Sequence, residues 1–164
     1  MLKKFAVAAV IAALSGVASA ADVNSFYVGA DVGATKYDGL SGNKTSVGIY
    51  GGYNFNSNFA AELSYRNLGD IEVGPVSVKV KQTAISAIGA YPLTNEIKVY
   101  GRLGYNNIDG EVVYNKVKYT GGDSGMLYGV GLSYQFAPKV VGRIEFQRPA
   151  SDAKNFHVGV AYQF

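Results

Sequence analysis

The chain ends with the stretch Phe156-His157-Val158-Gly159-Val160-Ala161-Tyr162-Gln163-Phe164. Every second residue from Phe156 onward is large and apolar, and the residues between them are small or polar. Successive side chains of a β-strand point to opposite faces, so this pattern predicts a strand with one apolar face and one polar face. The apolar face is formed by Phe156, Val158, Val160, Tyr162 and Phe164.

The same alternation recurs seven more times upstream and predicts eight strands. They are expected at residues 25–35, 45–55, 58–66, 80–91, 97–105, 126–136, 140–147 and 156–164. Most are close to the roughly 9–11 residues that a tilted strand needs to cross a bilayer. An even number of such strands is typical of a closed, antiparallel up-and-down barrel in an outer membrane, because closure pairs every backbone N–H and C=O within lipid. The predicted fold is therefore an all-β, eight-stranded transmembrane barrel, with the phase of the fourth strand least clearly marked.

Residues 1–20 have the features of a cleaved signal peptide. A positive start, Met1-Leu2-Lys3-Lys4, is followed by an apolar run over 5–14 and by the small residues Ala18-Ser19-Ala20. We expect cleavage before Ala21, although the sequence also permits a cut one residue later, and the apolar run is too short for a helical membrane anchor, which needs about 20 residues. Residues 21–164 then form one barrel domain. Without its two signal-peptide lysines the formal charge falls from +3 to +1, which gives no indication of a nucleic-acid partner.

The connections between the predicted strands alternate in length. Tight, turn-like connections are expected at 54–58, 92–96 and 137–139, and longer ones at 36–44, 67–79, 107–125 and 149–154. Outer-membrane barrels have short periplasmic turns and longer extracellular loops. Both termini are therefore expected in the periplasm. Two lysines of the third long loop, Lys116 and Lys118, are candidates for contact with lipid phosphates.

Charged residues lie on the polar face of the odd-numbered strands. An eight-stranded interior is just wide enough to be filled by side chains, and an unpaired buried charge is costly. We therefore expect an ion-pair network in the lumen, formed by Asp31, Glu62, Arg66, Arg102, Arg143 and Glu145. The alternative role for this network is a gate that rearranges to admit ions. A soluble, lipocalin-like barrel is disfavoured because aromatic residues lie near both ends of the apolar face, as in membrane girdles, and because the chain has no Trp.

Several stretches resemble one known family. Gly51-Gly52-Tyr53, Phe59-Ala60-Ala61-Glu62-Leu63-Ser64-Tyr65-Arg66-Asn67-Leu68-Gly69, Tyr100-Gly101-Arg102-Leu103-Gly104 and Gly142-Arg143-Ile144-Glu145-Phe146-Gln147 are similar to the transmembrane domain of OmpA and its small-barrel relatives. The resemblance implies that Glu62 and Arg143 pair inside the lumen. It places a second pair, lysine with glutamate, at Ile88 and Ser133, where both charges are missing. It also implies that the terminal strand, Phe156 to Phe164, is the signal read by the barrel assembly machinery. No counterpart of the peptidoglycan-binding domain of full-length OmpA is expected.

Few residues suit catalysis or metal binding. His157 is the only histidine, so metal sites with two or three imidazoles are excluded, and no cofactor is expected. The segment Gly122-Asp123-Ser124-Gly125 copies a serine-protease tetrapeptide but has no scaffold to orient a base. Lipid A deacylases of the outer membrane carry a His-x-Ser pair, whereas this chain has His157-Val158-Gly159. A lipid A-modifying enzyme is thus the third hypothesis, and no enzyme activity is expected.

The leading hypothesis is a structural and surface-interaction barrel, adhesin-like or receptor-like, in the bacterial outer membrane. Its expected partners are outer-membrane lipids and lipopolysaccharide, the barrel assembly machinery, and host surface molecules or phage. The alternative is a low-conductance channel for ions or small solutes.

Overall fold

The computed structural model describes residues 24–38, 42–73, 76–114 and 117–164, and within the strand ends 70–78 and 112–119 it describes only the backbone. The predicted signal peptide, Lys116 and the side chain of Lys118 lie outside this part. Eight strands follow in chain order: β1 (Ser25–Tyr37), β2 (Lys44–Asn54), β3 (Phe59–Val73), β4 (Val76–Pro92), β5 (Ile97–Tyr114), β6 (Val117–Ala137), β7 (Val140–Ala150) and β8 (Ala153–Gln163). No helix among the described residues is long and apolar enough to span a membrane.

Each strand pairs antiparallel with the next, and β8 pairs with β1, so the sheet is a closed barrel. This confirms the predicted fold. The seam is continuous: Ala34 lies opposite Phe156, and the N–H of Phe164 donates to the carbonyl of Phe26 over 2.9 Å. The short turns and both described chain ends lie at one end of the barrel, which we assign as the periplasmic end.

The apolar faces point outward. Phe26, Ile49, Leu63 and Val130 are each more than 60% exposed, whereas the charged residues of the opposite face are buried. In water such an exterior would be strongly unfavourable, so the lipocalin-like alternative is wrong. The predicted phase of β4 is confirmed, because Ile85 is 59% exposed. Its inward neighbours Gln82, Ala84 and Ser86 are buried.

Four strands extend beyond the apolar belt, and here the prediction was wrong. The segments 67–79 and 107–125 were expected as loops, but β3 and β4 continue to Val73 and Val76, and β5 and β6 to Tyr114 and Val117. Strand pairing continues from β3 to β4, from β4 to β5 and from β5 to β6. The four extensions therefore form one antiparallel sheet, which we call the protruding sheet and which comprises residues 67–73, 76–81, 107–114 and 117–125.

The failure to predict these extensions has a physical cause in each of the two hairpins, β3–β4 and β5–β6. In the first, Gly74-Pro75 and several charged residues read as a loop, although Val76, Val78 and Val80 alternate with Ser77 and Lys79, which is a strand pattern. In the second, glycines, asparagines and lysines interrupt any alternation, so the strand is held by pairing with its neighbours and not by a distinct apolar face.

A β-bulge marks the base of the protruding sheet. The register of β3 against β4 shifts between Asn67 and Gly69, and Gly69 has a φ of +119°, a conformation that favours glycine. The Asn67 side-chain oxygen accepts a hydrogen bond from the Gly69 N–H over 2.8 Å. The last predicted loop, 149–154, is also shorter than expected, because β7 ends at Ala150 and β8 begins at Ala153.

Candidate functional site

Glu62 of β3 is the centre of the lumen. One of its oxygens, Oε2, accepts hydrogen bonds from Tyr27 Oη (2.9 Å) and Arg143 Nη1 (2.7 Å). The other, Oε1, accepts from Arg102 Nη2 (2.8 Å) and Arg143 Nη2 (3.3 Å). Only 1% of Glu62 is exposed. Three donors from β1, β5 and β7 therefore converge on a single buried carboxylate, which makes it the residue that joins the network.

Two further pairs complete the set. Arg102 donates from Nε to Glu145 Oε1 over 2.6 Å, so it bridges Glu62 and Glu145. Arg66 contacts Asp31 through two nitrogens, at 2.7 and 3.2 Å. Nη2 of Arg143 lies 3.6 Å from Asp31 Oδ2 and links this pair to the centre. The structure thus brings all six predicted residues together, and three carboxylates balance three guanidinium groups in a site from which water is largely excluded.

Glycines on the even-numbered strands make room for these long side chains. A Cβ at Gly48 of β2 would lie 2.8 Å from Asp31 Oδ1, and one at Gly129 of β6 would lie 2.9 Å from Glu145 Oε1. These distances are shorter than normal van der Waals contact. The network therefore fits inside a narrow barrel because the charged side chains of the odd-numbered strands lie against glycines of the even-numbered strands.

Three tyrosines cover the network on its periplasmic side, and the sequence reading did not assign them to the site. Each ring lies over the glycine directly opposite it on a neighbouring strand: Tyr27 over Gly52, Tyr50 over Gly29 and Tyr100 over Gly131. Tyr100 Oη donates to Glu145 over 2.8 Å. The Arg143 guanidinium carbon lies 3.4 Å from the Tyr50 ring centroid, a cation–π contact. The pairing of an inward tyrosine with an inward glycine on the neighbouring strand indicates such a ring position, but it can be recognised only when the strand register is known.

The extracellular side of the network is packed with further polar side chains. His157, predicted to face inward, is fully buried, and its Nδ1 lies 2.9 Å from Asn155 Oδ1. Arg66 Nη1, which can only donate, lies 3.2 Å from the same Asn155 oxygen, so that oxygen is an acceptor and His157 Nδ1 donates to it. The Asn155 amide nitrogen donates to Thr35 and Ser46, each over 2.8 Å. Leu68 and Leu127 are also fully buried at this level.

A tyrosine closes the upper edge of this packed half, outside the apolar belt. Tyr37 Oη donates to the carbonyl of Leu68 over 3.5 Å. Burial, with the Asp152 carboxylate nearby, raises the pKa of Tyr37 to about 12. The phenol therefore stays protonated and remains a donor at any physiological pH.

The positions of the missing second pair, Ile88 and Ser133, face the periplasmic half of the lumen. There they line a cavity of about 110 Å³, together with the ring of Tyr50 and the side chain of Val141. This free space in the lumen therefore lies below the tyrosines, on the periplasmic side of the network.

Four of the five residues of the proposed assembly signal lie on β8. Phe156, Val158, Val160 and Tyr162 face outward and are 43–51% exposed. Phe164 differs from the predicted pattern, since it is only 9% exposed. It follows the end of β8, and its ring packs edge-on against Tyr162 with centroids 5.1 Å apart.

The described residues offer no arrangement for catalysis. Ser124 of the protease-like tetrapeptide is exposed, and its Oγ shares a hydrogen bond with Tyr105 Oη over 2.8 Å. The histidine that a triad would need is buried in the lumen. No group of three or more histidine, aspartate or glutamate side chains able to hold a metal ion occurs in the described ranges.

Comparisons with known proteins agree with this architecture. A family model described as the outer membrane protein beta-barrel domain matches residues 5–164. The chain is 28% identical over 177 residues to outer membrane protein A of Shigella dysenteriae, covering 89% of this chain and 48% of that protein. It is 31% identical over 180 residues to outer membrane protein P5 of Haemophilus influenzae, covering 89% and 51%. The chain thus spans about half the length of the curated relatives it matches.

Among solved structures, the crystal structure of Neisserial surface protein A superposes with a TM-score of 0.72 at 18% identity, covering 85% of this chain and 97% of that one. At this identity the similarity shows a shared fold.

Proposed function

This chain belongs to the outer membrane protein β-barrel family and lies in the bacterial outer membrane, and from that premise we propose that its protruding sheet binds extended segments of partner proteins at the cell surface. The family assignment makes it a barrel protein and not an enzyme. The observation that supports the proposal is the length of β3 to β6 beyond the lipid.

The strand lengths give the size of the protruding sheet. β5 has 18 residues and β6 has 21, whereas crossing the bilayer takes roughly 9–11. At about 3.3 Å per residue, the surplus of roughly 7–12 residues on these two strands corresponds to on the order of 23–40 Å of extended chain. This is a large surface for a protein whose other described connections are short.

The sheet has an unpaired edge. β6 pairs with β7 only from Tyr128 onward, where Tyr128 lies opposite Arg148. One edge of β6 pairs with β5 along its whole length. Among the described residues, no strand pairs with the opposite edge between Val117 and Leu127. A free strand edge presents unsatisfied N–H and C=O groups that can accept another strand. We therefore assign this edge as the binding surface, with host surface proteins or phage proteins as its partners.

The lumen, in which the charged groups are buried and paired, favours partner binding over ion conduction as the function of this barrel. The side chains of Glu62, Glu145 and Asp31 are fully buried, and those of the three arginines are 2–8% exposed. Ions would cross only if this network and the packed layer above it opened. A structural role for the network, holding β1, β3, β5 and β7 together beneath the sheet, needs no such motion.

Shortening the β5–β6 hairpin tests the proposal. Because Asp109 lies opposite Gly122, residues 110–121 can be replaced by Asn-Gly, which forms a two-residue hairpin turn. Bacteria that lack their own adhesins and express this variant are expected to adhere to cultured epithelial cells no better than bacteria without the barrel. Adherent colony counts measure the effect.

The matched control shortens the other hairpin. Asp70 lies opposite Lys79, so residues 71–78 are replaced by Asn-Gly in the same way, which leaves the β6 edge intact. This control is expected to keep adhesion. If both variants adhere like the unaltered protein, the edge is not the binding surface.

The terminal strand supports a second contact, with the barrel assembly machinery. Its outward apolar residues and the seam bond from Phe164 to Phe26 place the last residues where the barrel closes. Phe164→Ala is expected to reduce the amount of folded barrel in the outer membrane of growing cells, while refolding of the purified variant into detergent is retained. Gln163→Ala is the control. Equal membrane levels of Phe164→Ala and the unaltered chain would argue against this role.

A further inference from the structure

The cavity below the tyrosines has apolar walls and a polar roof. Its volume is about 110 Å³, and the tyrosine rings and Arg143 lie between it and the rest of the network. Its walls include apolar side chains from four strands, namely Ala60, Ile88, Val141 and Ala161. A concave, largely apolar space with a few polar groups is typical of sites for small molecules.

Two donors in the roof lack an acceptor. Arg143 donates to Glu62 from Nη1 and Nη2, but its Nε has no hydrogen-bond partner among the described residues. The Tyr50 ring packs on the Arg143 guanidinium, and the Tyr50 hydroxyl also has no partner in the described ranges. Both residues are buried, at 8% and 4% exposure. Because a buried donor without an acceptor is unfavourable, the roof is complementary to a molecule that supplies an acceptor.

The electrostatic balance of the site favours a neutral acceptor. The three carboxylates of the network already balance its three guanidinium groups. A carboxylate ligand would add an uncompensated charge to a buried site, which is costly. The residues near the mouth do not change this balance, since Glu96 and Lys98 carry opposite charges. A carbonyl oxygen is neutral and has two lone pairs, so it can accept from both donors.

The cavity reaches the periplasmic end of the barrel. Its lining includes the exposed turn between β2 and β3, residues 56–58. Lys98 of β5 extends to this turn, where its Nζ donates to the carbonyl of Ser57 over 3.4 Å. On the extracellular side of the network, Leu68, Leu127 and His157 are fully buried. A ligand would therefore enter from the periplasm, past the Lys98 side chain.

We propose that this cavity binds a small, neutral carbonyl compound, such as a cyclic ketone or a lactone, from the periplasm. The apolar part of the ligand lies against Ile88 and Val141, and its carbonyl oxygen accepts from Arg143 Nε and Tyr50 Oη. A cavity of about 150 Å³ holds benzene, so this one suits a body of roughly five or six heavy atoms. The site is at the opposite end of the barrel from the protruding sheet and is independent of partner binding there.

An NMR titration of the full, ¹⁵N-labelled barrel in detergent micelles tests the site. Cyclopentanone is the probe, and methylenecyclopentane, in which a CH₂ group replaces the oxygen, is its matched analogue without an acceptor. Cyclopentanone is expected to cause saturable shifts of the inward residues Ile88 and Ser133 and none at Leu103, which faces the lipid. The analogue is expected to bind roughly tenfold more weakly. Shifts confined to outward residues would mean partition into the micelle and would overturn the proposal.

Two variants separate the polar roof from the free volume. Tyr50→Phe keeps the ring but removes one donor, so it is expected to bind cyclopentanone about three- to tenfold more weakly. Its unfolding midpoint in urea is expected to stay unchanged, because the hydroxyl has no partner among the described residues. Ser133→Leu fills the cavity and is expected to abolish the saturable shift at Ile88. Ser151→Leu, in the exposed turn between β7 and β8, is the matched control and is expected to bind normally.

The alternative occupant of the cavity is water alone. In that case the inward residues of the unaltered barrel show no saturable shift with cyclopentanone, and the proposal fails. It also fails if Tyr50→Phe binds cyclopentanone as tightly as the unaltered barrel does. The second comparison does not depend on whether Ser133→Leu folds.

Discussion

Replacing Glu62 with alanine is expected to lower the free energy of unfolding by about 3–5 kcal/mol, the cost of removing one partner from a buried ion-pair network. Arg143 is the residue most affected. Glu62 is its close carboxylate, since its Nη1 lies 2.7 Å from Glu62 and its Nη2 is 3.6 Å from Asp31. Arg102 keeps its 2.6 Å contact with Glu145. The variant therefore leaves one guanidinium largely uncompensated where water cannot replace the lost carboxylate.

Urea titration of the barrel in detergent micelles, followed by the heat-modifiable shift on gels, measures the change. Glu96→Ala is the matched control, because Glu96 is exposed in the turn between β4 and β5, where its Oε2 accepts a hydrogen bond from the nearby Thr94 hydroxyl over 3.2 Å. It is expected to change stability by less than about 0.5 kcal/mol. Glu62→Gln is expected to fall between the two, since it keeps the volume and two acceptor sites but loses the charge. Equal midpoints for Glu62→Ala and Glu96→Ala would contradict a stabilising role for the network.

The set of lumen charges was predictable from sequence, but most of its pairing was not. A period of two identifies which side chains point inward, and an eight-stranded interior forces the inward charges together. The resemblance to OmpA relatives implied the contact of Glu62 with Arg143. The contacts of Arg66 with Asp31 and of Arg102 with Glu145 depend on strand register and on the tilt of the strands around the barrel, which a single sequence does not encode locally.

The protruding sheet was hidden for a different reason. Within the belt, lipid on one side and a polar lumen on the other impose a contrast between alternate residues. Beyond the belt that contrast is no longer required. Turn-forming residues continue a strand there because each is paired on both sides. Asn107 lies opposite Thr83 of β4 and Ser124 of β6, and Asp109 lies opposite Lys81 and Gly122. Long-range pairing overrides local propensity there, so turn-forming residues no longer mark the end of a strand.

Tyr27, Tyr50 and Tyr100 form a tyrosine layer in which Tyr100 packs closely against Gly131, so adding a single methyl group at Gly131 is expected to be destabilising. Gly131→Ala is expected to lower the free energy of unfolding by about 1–3 kcal/mol, the usual cost of overpacking a tight interior. The added Cβ would lie 2.5 Å from the Ile144 carbonyl oxygen and 2.5 Å from Tyr100 Cζ. The carbonyl belongs to the paired β7 backbone and cannot retreat without opening the wall. The Tyr100 ring must therefore move, and its 2.8 Å hydrogen bond to Glu145 is lost.

The same substitution on the other face of the wall is the control. Gly101 points outward from β5, and a Cβ there meets no atom within 4 Å. Gly101→Ala is expected to be neutral or to stabilise slightly, by up to about 1 kcal/mol, because alanine restricts the unfolded chain. Urea titration of both variants separates the two faces, and equal effects would contradict the tight packing of the tyrosine layer. In a Tyr100→Ala background the cost of Gly131→Ala is expected to shrink but to persist, since removing the ring relieves one contact while the Ile144 carbonyl remains.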